Sequence, residues 1–169
     1  MSALHDPSAP TGPANDSQRS RRGEFFAQLA DRRPDIALCK ASLLAVRTAE
    51  EAAALHGITL AQHMILQMLD AVGPASQQAL SDELRIDRST MVRCIDALEK
   101  GGHVQRHRDS ADRRAYSVHL TESGRTLLAD ADQEVPGVLK QTLAPLTDGE
   151  RADLTRLLAK LVTGTAPGA

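Results

Sequence analysis

A mainly α-helical fold carrying one small β-hairpin is what this sequence predicts, on three observations. Four segments between Asp35 and Lys100 repeat apolar residues at helical spacing, each bounded by capping residues, Gly or Pro. Between Val104 and Leu120 the pattern changes to strict alternation around a turn-forming stretch. After Thr121 the helical spacing returns twice, which makes six main helices in all.

Residues 1–22 are rich in Ser, Pro, Ala, Gly and Asp and hold almost no large apolar side chain, so a disordered tail is expected there. Arg19, Arg21 and Arg22 at its end read as solvated linker charges. Residues 23–34 form a short helical extension, in which Phe25, Phe26 and Leu29 mark an amphipathic turn that Pro34 interrupts. The two phenylalanines are expected to cap a larger apolar surface. The first main helix runs from Asp35 to about Leu55 with Ile36, Cys39, Leu43 and Val46 on one face, and Gly57 stops it. Thr59 and Gln62 form a capping box that opens the second helix, through Met64, Ile65, Met68 and Leu69, and Gly73-Pro74 ends it.

Ser76 caps a short third helix whose buried stripe is Leu80 and Leu84. Asp87 caps the fourth, which reaches Lys100 and is closed by Gly101 and Gly102. Val104, Arg106 and Arg108 then alternate with Gln105 and His107, and Tyr116, Val118 and Leu120 with Ser117 and His119; Asp109 to Asp112 supply the turn. Thr121 caps a fifth helix carrying Leu127 and Leu128, with a kink or interruption expected at Pro136-Gly137. Thr147 and Glu150 form a second capping box before a sixth helix through Leu154, Leu157, Leu158 and Leu161. Helix, tight turn, helix and hairpin over residues 76–120 is the outline of an α/β winged helix-turn-helix.

The 169 residues are 41% hydrophobic with no Trp, one Tyr and two Phe, so the core must be aliphatic. No apolar run approaches the ~18 residues of a membrane span, and the first segment lacks the apolar stretch of a secretory signal, so a soluble cytoplasmic protein is expected. Two cysteines make no disulfide framework. The six histidines are scattered without a spacing that would put two ligands on one helix face, and neither a metal nor another cofactor is expected. Nor is there a Gly-rich phosphate loop or a nucleophile elbow, which argues against an enzyme.

Charge points toward duplex DNA. The chain's formal net charge is −2, yet the window Arg85 to Arg125 holds nine basic and six acidic residues and is net positive by three. On the fourth helix Met91, Ile95 and Leu98, with Cys94 at the edge, share one side, while Ser89 and Arg93 point away from it. That outward side suits a major groove, where arginine chelates the guanine edge. The expected contacts are Arg93, Ser89 and Thr90 in the groove, with Arg88 on phosphate and Gln77 at the start of the third helix. On the hairpin, Arg106, Arg108, Arg113 and Arg114 would follow the flanking backbone or enter a minor groove. A winged helix that binds protein rather than DNA is the alternative from another class; the basic wing and Arg93 argue against it.

These residues also carry a resemblance. The runs Gln78-Ala79-Leu80-Ser81-Asp82-Glu83-Leu84, Asp87 to Arg93, Leu98-Glu99-Lys100-Gly101-Gly102, Asp112-Arg113-Arg114 and Leu120-Thr121-Glu122-Ser123-Gly124 resemble the MarR family of transcription regulators. The resemblance is strong over residues 76–128, and the helix order from about 35 to 162 supports it. It implies a homodimer interleaved through the first, fifth and sixth helices, with residues 35–75 and 121–164 as dimerisation helices. It also implies that Arg114 reaches the minor groove while Asp87 and Asp112 orient the wing arginines. One departure is Gly102-His103-Val104, where a hydrophobic or aromatic residue more often precedes the strand.

Dimerisation has a physical motive, since the Leu-rich first and sixth helices would otherwise leave apolar faces in water. Two modules would read a pseudo-palindromic operator with half-sites ~34–36 Å apart, or a multiple of that. The resemblance further implies a repressor released by a phenolic or aromatic acid. Arg47 on the first helix and His63, Met64 and Gln67 on the second offer a cation, a donor and soft apolar contacts to such a ligand. A urate-type ligand is not expected, because the Trp of urate-responsive relatives is missing. An oxidant-responsive repressor acting through Cys39 is the alternative, since peroxide-sensing relatives carry a reactive cysteine on this helix. The tyrosines that serve it there are absent here, and Cys39 shares the apolar face with Ile36 and Leu43, so a buried inert thiol is expected. Cys94, on the core side of its helix, reads as structural.

Overall fold

The computed structural model describes residues 23–26, 28–108 and 116–164. The expected tail at 1–22 and the turn with Asp112, Arg113 and Arg114 lie outside the described residues. The chain divides into two compact units, Met1–Leu44 and Ala45–Ala169.

In the first unit residues 23–26 and 28–32 are helical, and α1 (Pro34–Ala54) begins directly after Arg33. Pro34 occupies the first helical position, where its missing N–H leaves nothing unsatisfied. Phe25 and Phe26 meet edge to face at 5.2 Å, and the Lys40 ammonium lies 3.2 Å from the centre of the Phe26 ring. Both rings stay exposed, so they cover each other rather than a larger surface. Cys39 is exposed too, not buried as its apolar neighbours suggested. The reason is visible along α1: Ile36, Leu38, Leu43 and Leu44 are also exposed, so the apolar stripe exists but has no partner in its own unit.

The second unit holds α2 (Leu60–Val72), β1 (Ala75–Ser76), α3 (Gln77–Leu84), α4 (Arg88–Lys100), β2 (Val104–Arg108), β3 (Tyr116–Leu120), α5 (Glu122–Thr142) and α6 (Asp148–Thr163). Its core is aliphatic, as composition demanded: Ile65, Leu66, Leu80, Met91, Ile95, Leu98, Val104 and Val118 are essentially sealed from solvent. Each such side chain contributes roughly 1.5–3 kcal/mol of transfer free energy, so this cluster outweighs exposed pairs such as Arg47–Glu51. The sheet is antiparallel in the order β1-β3-β2. Its register sets Val104 opposite Leu120, Arg106 opposite Val118 and Arg108 opposite Tyr116. The two-residue β1, with Ala75 against Val118, is too short to show alternation and could not be foreseen.

The expected caps form. Thr59 and Gln62 exchange bonds of 2.9 and 3.2 Å, Thr147 and Glu150 do the same at 2.8 and 3.3 Å, and the Ala79 N–H donates to Ser76 Oγ at 3.1 Å. The expected interruption of α5 does not occur, for the helix passes through Pro136 and Gly137 to Thr142. Proline forfeits its own N–H bond and crowds the carbonyl four residues back, yet the 21-residue helix continues on either side of it. The start of α5 is tightly set: the Thr121 hydroxyl donates to the Gly102 carbonyl at 2.7 Å and accepts from the Gly124 N–H at 3.0 Å. Gly124 thereby lies directly against the chain leaving α4, and a Cβ there would fall 2.6 Å from Leu120 Cδ1 and 3.1 Å from the His103 carbonyl carbon.

Candidate nucleic-acid interface

The turn between α3 and α4 is built by three neighbouring residues. Arg85 adopts a left-handed conformation at φ 53°, which lets its N–H reach the Ser81 carbonyl and close α3. The buried Ser81 hydroxyl donates to the Ile86 carbonyl at 2.6 Å, and the Ile86 N–H returns to the Ser81 carbonyl at 3.2 Å. Asp87 then caps α4: one carboxylate oxygen accepts from the Ser89 hydroxyl at 2.6 Å and from the Thr90 N–H at 2.9 Å. Those donors, the Ser89 hydroxyl first and then Thr90, hold the Asp87 carboxyl far below the usual carboxylate range. A depressed carboxyl stabilises the fold above its unfolded-state pKa and loses that effect as pH falls through the folded value, so the cap persists at neutral pH and opens only in strong acid.

Beyond the cap, α4 divides as its spacing predicts. Met91, Cys94, Ile95 and Leu98 are buried, whereas Arg88, Ser89, Val92, Arg93, Asp96 and Ala97 are exposed. Arg93 donates to the Thr90 hydroxyl at 3.0 Å, which holds its guanidinium over the first turn. Gln77 is half-buried at the start of α3. Beside Arg93, a cavity of about 370 Å³ is lined by Thr59, Ala61, Gln62, Thr90, Arg93 and Cys94. Burial raises the Cys94 thiol pKa, which suits a packing residue better than a nucleophile.

The two hairpin arginines within the described residues differ. Arg108 is exposed, and its Nε donates to the Tyr116 hydroxyl at 3.3 Å across the strand pair. Arg106, expected to contact DNA, is instead held inside the module. Its guanidinium donates to Glu99 at 2.5 Å and to Asp96 at 2.6 Å, and its own N–H donates to Glu99 at 2.8 Å. The backbone donor first, then the guanidinium, keeps the Glu99 carboxyl below its ordinary range. The signal for this lies in the alternation: Arg106 shares a strand face with Val104, so it points where the core is. Asp96 and Glu99, ten and seven residues before Arg106 in the chain, carry no local mark of that role.

Away from α4 and the hairpin, α2 and α5 share a polar cluster. His63 Nε2 lies 2.9 Å from an Asp132 carboxylate oxygen, and Gln67 donates to the same oxygen at 2.8 Å. The His63 side chain is only 12% exposed while that of Asp132 is 44% exposed, so the contact is sheltered on the His63 side alone. His63 and Gln67 are thus brought together, with Met64 half-exposed between them along the helix. Arg47 pairs with Glu51 on its own helix at 3.0 Å instead. Asp132, 65 and 69 positions distant from its partners, was invisible to sequence reasoning. Among the described residues no group of three or more His, Cys, Asp or Glu could hold a metal ion, and no helix is long and apolar enough to cross a membrane.

Comparison with known proteins agrees with this anatomy. The MarR family model matches residues 58–116, which span α2 through the start of β3. A putative transcriptional regulatory protein for the hcr operon of Thauera aromatica is 34% identical over 105 residues; the match spans 62% of this chain and 63% of that relative. The crystal structure of a probable transcriptional regulator from Pseudomonas aeruginosa is 29% identical, covering 78% of this chain and 98% of its own with a TM-score of 0.68. BpsR of Bordetella bronchiseptica, whose DNA binding is regulated by 6-hydroxynicotinic acid, is 26% identical over 79% of this chain and 94% of its own, with a TM-score of 0.67. Helix order, capped turn, hairpin and family model agree, and over residues 58–116 the chain is similar to the MarR family of transcriptional regulators.

Proposed function

We propose that this protein is a sequence-specific DNA-binding regulator, working as a homodimeric repressor on an inverted-repeat operator and released by a small aromatic acid. One observation carries the first part: α4 offers Arg88, Ser89 and Arg93 outward from a buried apolar face, and the adjoining hairpin offers Arg108. A helix so exposed suits a major groove, and its capped N-terminus suits phosphate. Arg113 and Arg114 extend the same charge along the hairpin tip in sequence, with Asp112 before them as the residue that would orient them. The unpartnered apolar residues of α1, and Leu157, Leu158 and Leu161 on α6, support a second copy as their cover.

Gel-shift titration against a 30-bp duplex enriched from a random library tests this reading, alongside sedimentation equilibrium. We expect a dimer whose affinity falls steeply between 50 and 200 mM salt, by about 10³-fold for six phosphate contacts. A monomer indifferent to duplex at 50 mM salt would refute it.

For the signal, the Asp132 cluster supports an acid. His63 and Gln67 already grip a carboxylate from α5, so an aromatic acid would compete with Asp132 for the same donors and loosen α2 from α5. BpsR, with 6-hydroxynicotinic acid, is a relative with an aromatic acid as its regulator. An Asp132→Asn variant should lose about 1 kcal/mol of stability yet gain more melting temperature than the parent on adding 6-hydroxynicotinate. Equal ligand shifts in both proteins would place the acid elsewhere.

A further inference from the structure

Arg106 directs both terminal guanidinium nitrogens and its backbone N–H to carboxylates inside the protein, and both acids it meets sit on the helix proposed to read DNA. Asp96 and Glu99 lie on the C-terminal half of α4, one turn beyond Arg93, and Arg106 lies at the middle of β2, two residues before Arg108. The contact is forked: one guanidinium nitrogen takes Glu99 and another takes Asp96, while the Arg106 N–H takes the second Glu99 oxygen. Side chain and backbone of one strand residue are therefore both fastened to one helix. Such a fork fixes direction as well as distance, which a single ammonium contact would not.

A surface built only to attract phosphate would not be arranged this way. Asp96 remains 58% exposed, and the three groups together carry a net negative charge beside the proposed reading helix. Plain electrostatics would favour their removal. What the trio supplies is a rigid relation between two elements that must reach one half-site together, since groove contacts a fraction of an ångström out of register lose their geometry.

We propose that Arg106 is a positioning residue for DNA reading: by tying β2 to α4 through Asp96 and Glu99, it sets the spacing between the major-groove side chains of α4 and the arginines of the hairpin. The inference rests on the DNA-binding reading above. It makes a prediction whose sign is opposite to that of charge alone. In the full-length Asp96→Asn/Glu99→Gln variant two negative charges vanish and Arg106 is freed. Were Arg106 simply another phosphate contact, binding would tighten on every duplex.

The experiment measures binding of parent and variant to two probes, the 30-bp duplex enriched by the parent and a scrambled duplex of equal composition, with melting followed by circular dichroism. The expected result is affinity for the enriched duplex about tenfold weaker, affinity for the scrambled duplex unchanged or stronger, and discrimination reduced by at least that factor. Arg106→Lys, which keeps the charge and loses the fork, should also lose discrimination. If the double variant does not fold, Asp96→Asn and Arg106→Lys are read in its place, with about a threefold loss expected for Asp96→Asn because Glu99 stays bound. Retained discrimination in folded variants, or an equal loss on both probes, overturns the proposal. A parent that enriches no duplex at all overturns the DNA-binding reading itself, and the positioning role with it.

Discussion

Replacing Arg93 with alanine should weaken binding to an enriched duplex by about ten- to a hundredfold and flatten preference at one base pair per half-site, the effect of losing an arginine contact to a guanine edge. Arg93 is singled out because it is exposed on the outward side of α4, tethered only by the Thr90 hydroxyl and free of any carboxylate among the described residues. Arg114→Ala gives the contrasting result: a contact on the backbone or in a minor groove should weaken binding to enriched and scrambled duplexes alike and lower the salt slope by about one. Quantitative footprinting over a set of single-base variants separates the two. If Arg93→Ala keeps the parental base preference, α4 does not read the groove through that side chain.

The second large effect concerns the joint between the hairpin and α5. A methyl group added at Gly124 meets backbone atoms of His103 and the end of Leu120, and the backbone cannot retreat because Thr121 is bonded to the Gly102 and His103 carbonyls. Gly124→Ala should cost about 2–3 kcal/mol, since overpacking against backbone leaves strain that side-chain motion cannot relieve. Chemical denaturation reads the loss directly. Gly57→Ala offers the comparison: nothing lies near its missing Cβ, and its cost comes from a positive φ of 71° alone. A Gly124→Ala variant as stable as the parent would show that α5 can shift away from the strand.

Much of the module was legible residue by residue. Thr59 with Gln62, Ser76, Asp87 and Thr147 with Glu150 all cap where their spacing says, because a cap is decided within four residues. The buried and exposed sides of α4 follow in the same way from its 3.6-residue period. Less legible was the state of α1. Its apolar stripe is real, but exposure of Cys39 and Leu43 depends on what lies opposite, and nothing in a periodic pattern specifies that. Pro136 misled for a related reason: a proline signals a weak point, while the surrounding ladder decides whether the helix breaks there.

The sequence by itself determined where the main helices and the two hairpin strands begin, which side of each is apolar, and that cations gather around α4 and the hairpin. Only the tertiary structure decided which of those cations are available. Among the described residues Arg93 meets no carboxylate, whereas Arg106 is held by Glu99 and Asp96, seven and ten positions away, and His63 and Gln67 are joined by Asp132 from another helix. The physical reason is range. Caps and periodicity arise from contacts within a turn or two, but a salt bridge between elements depends on how the core docks them, and the residues involved carry no local mark of their partners.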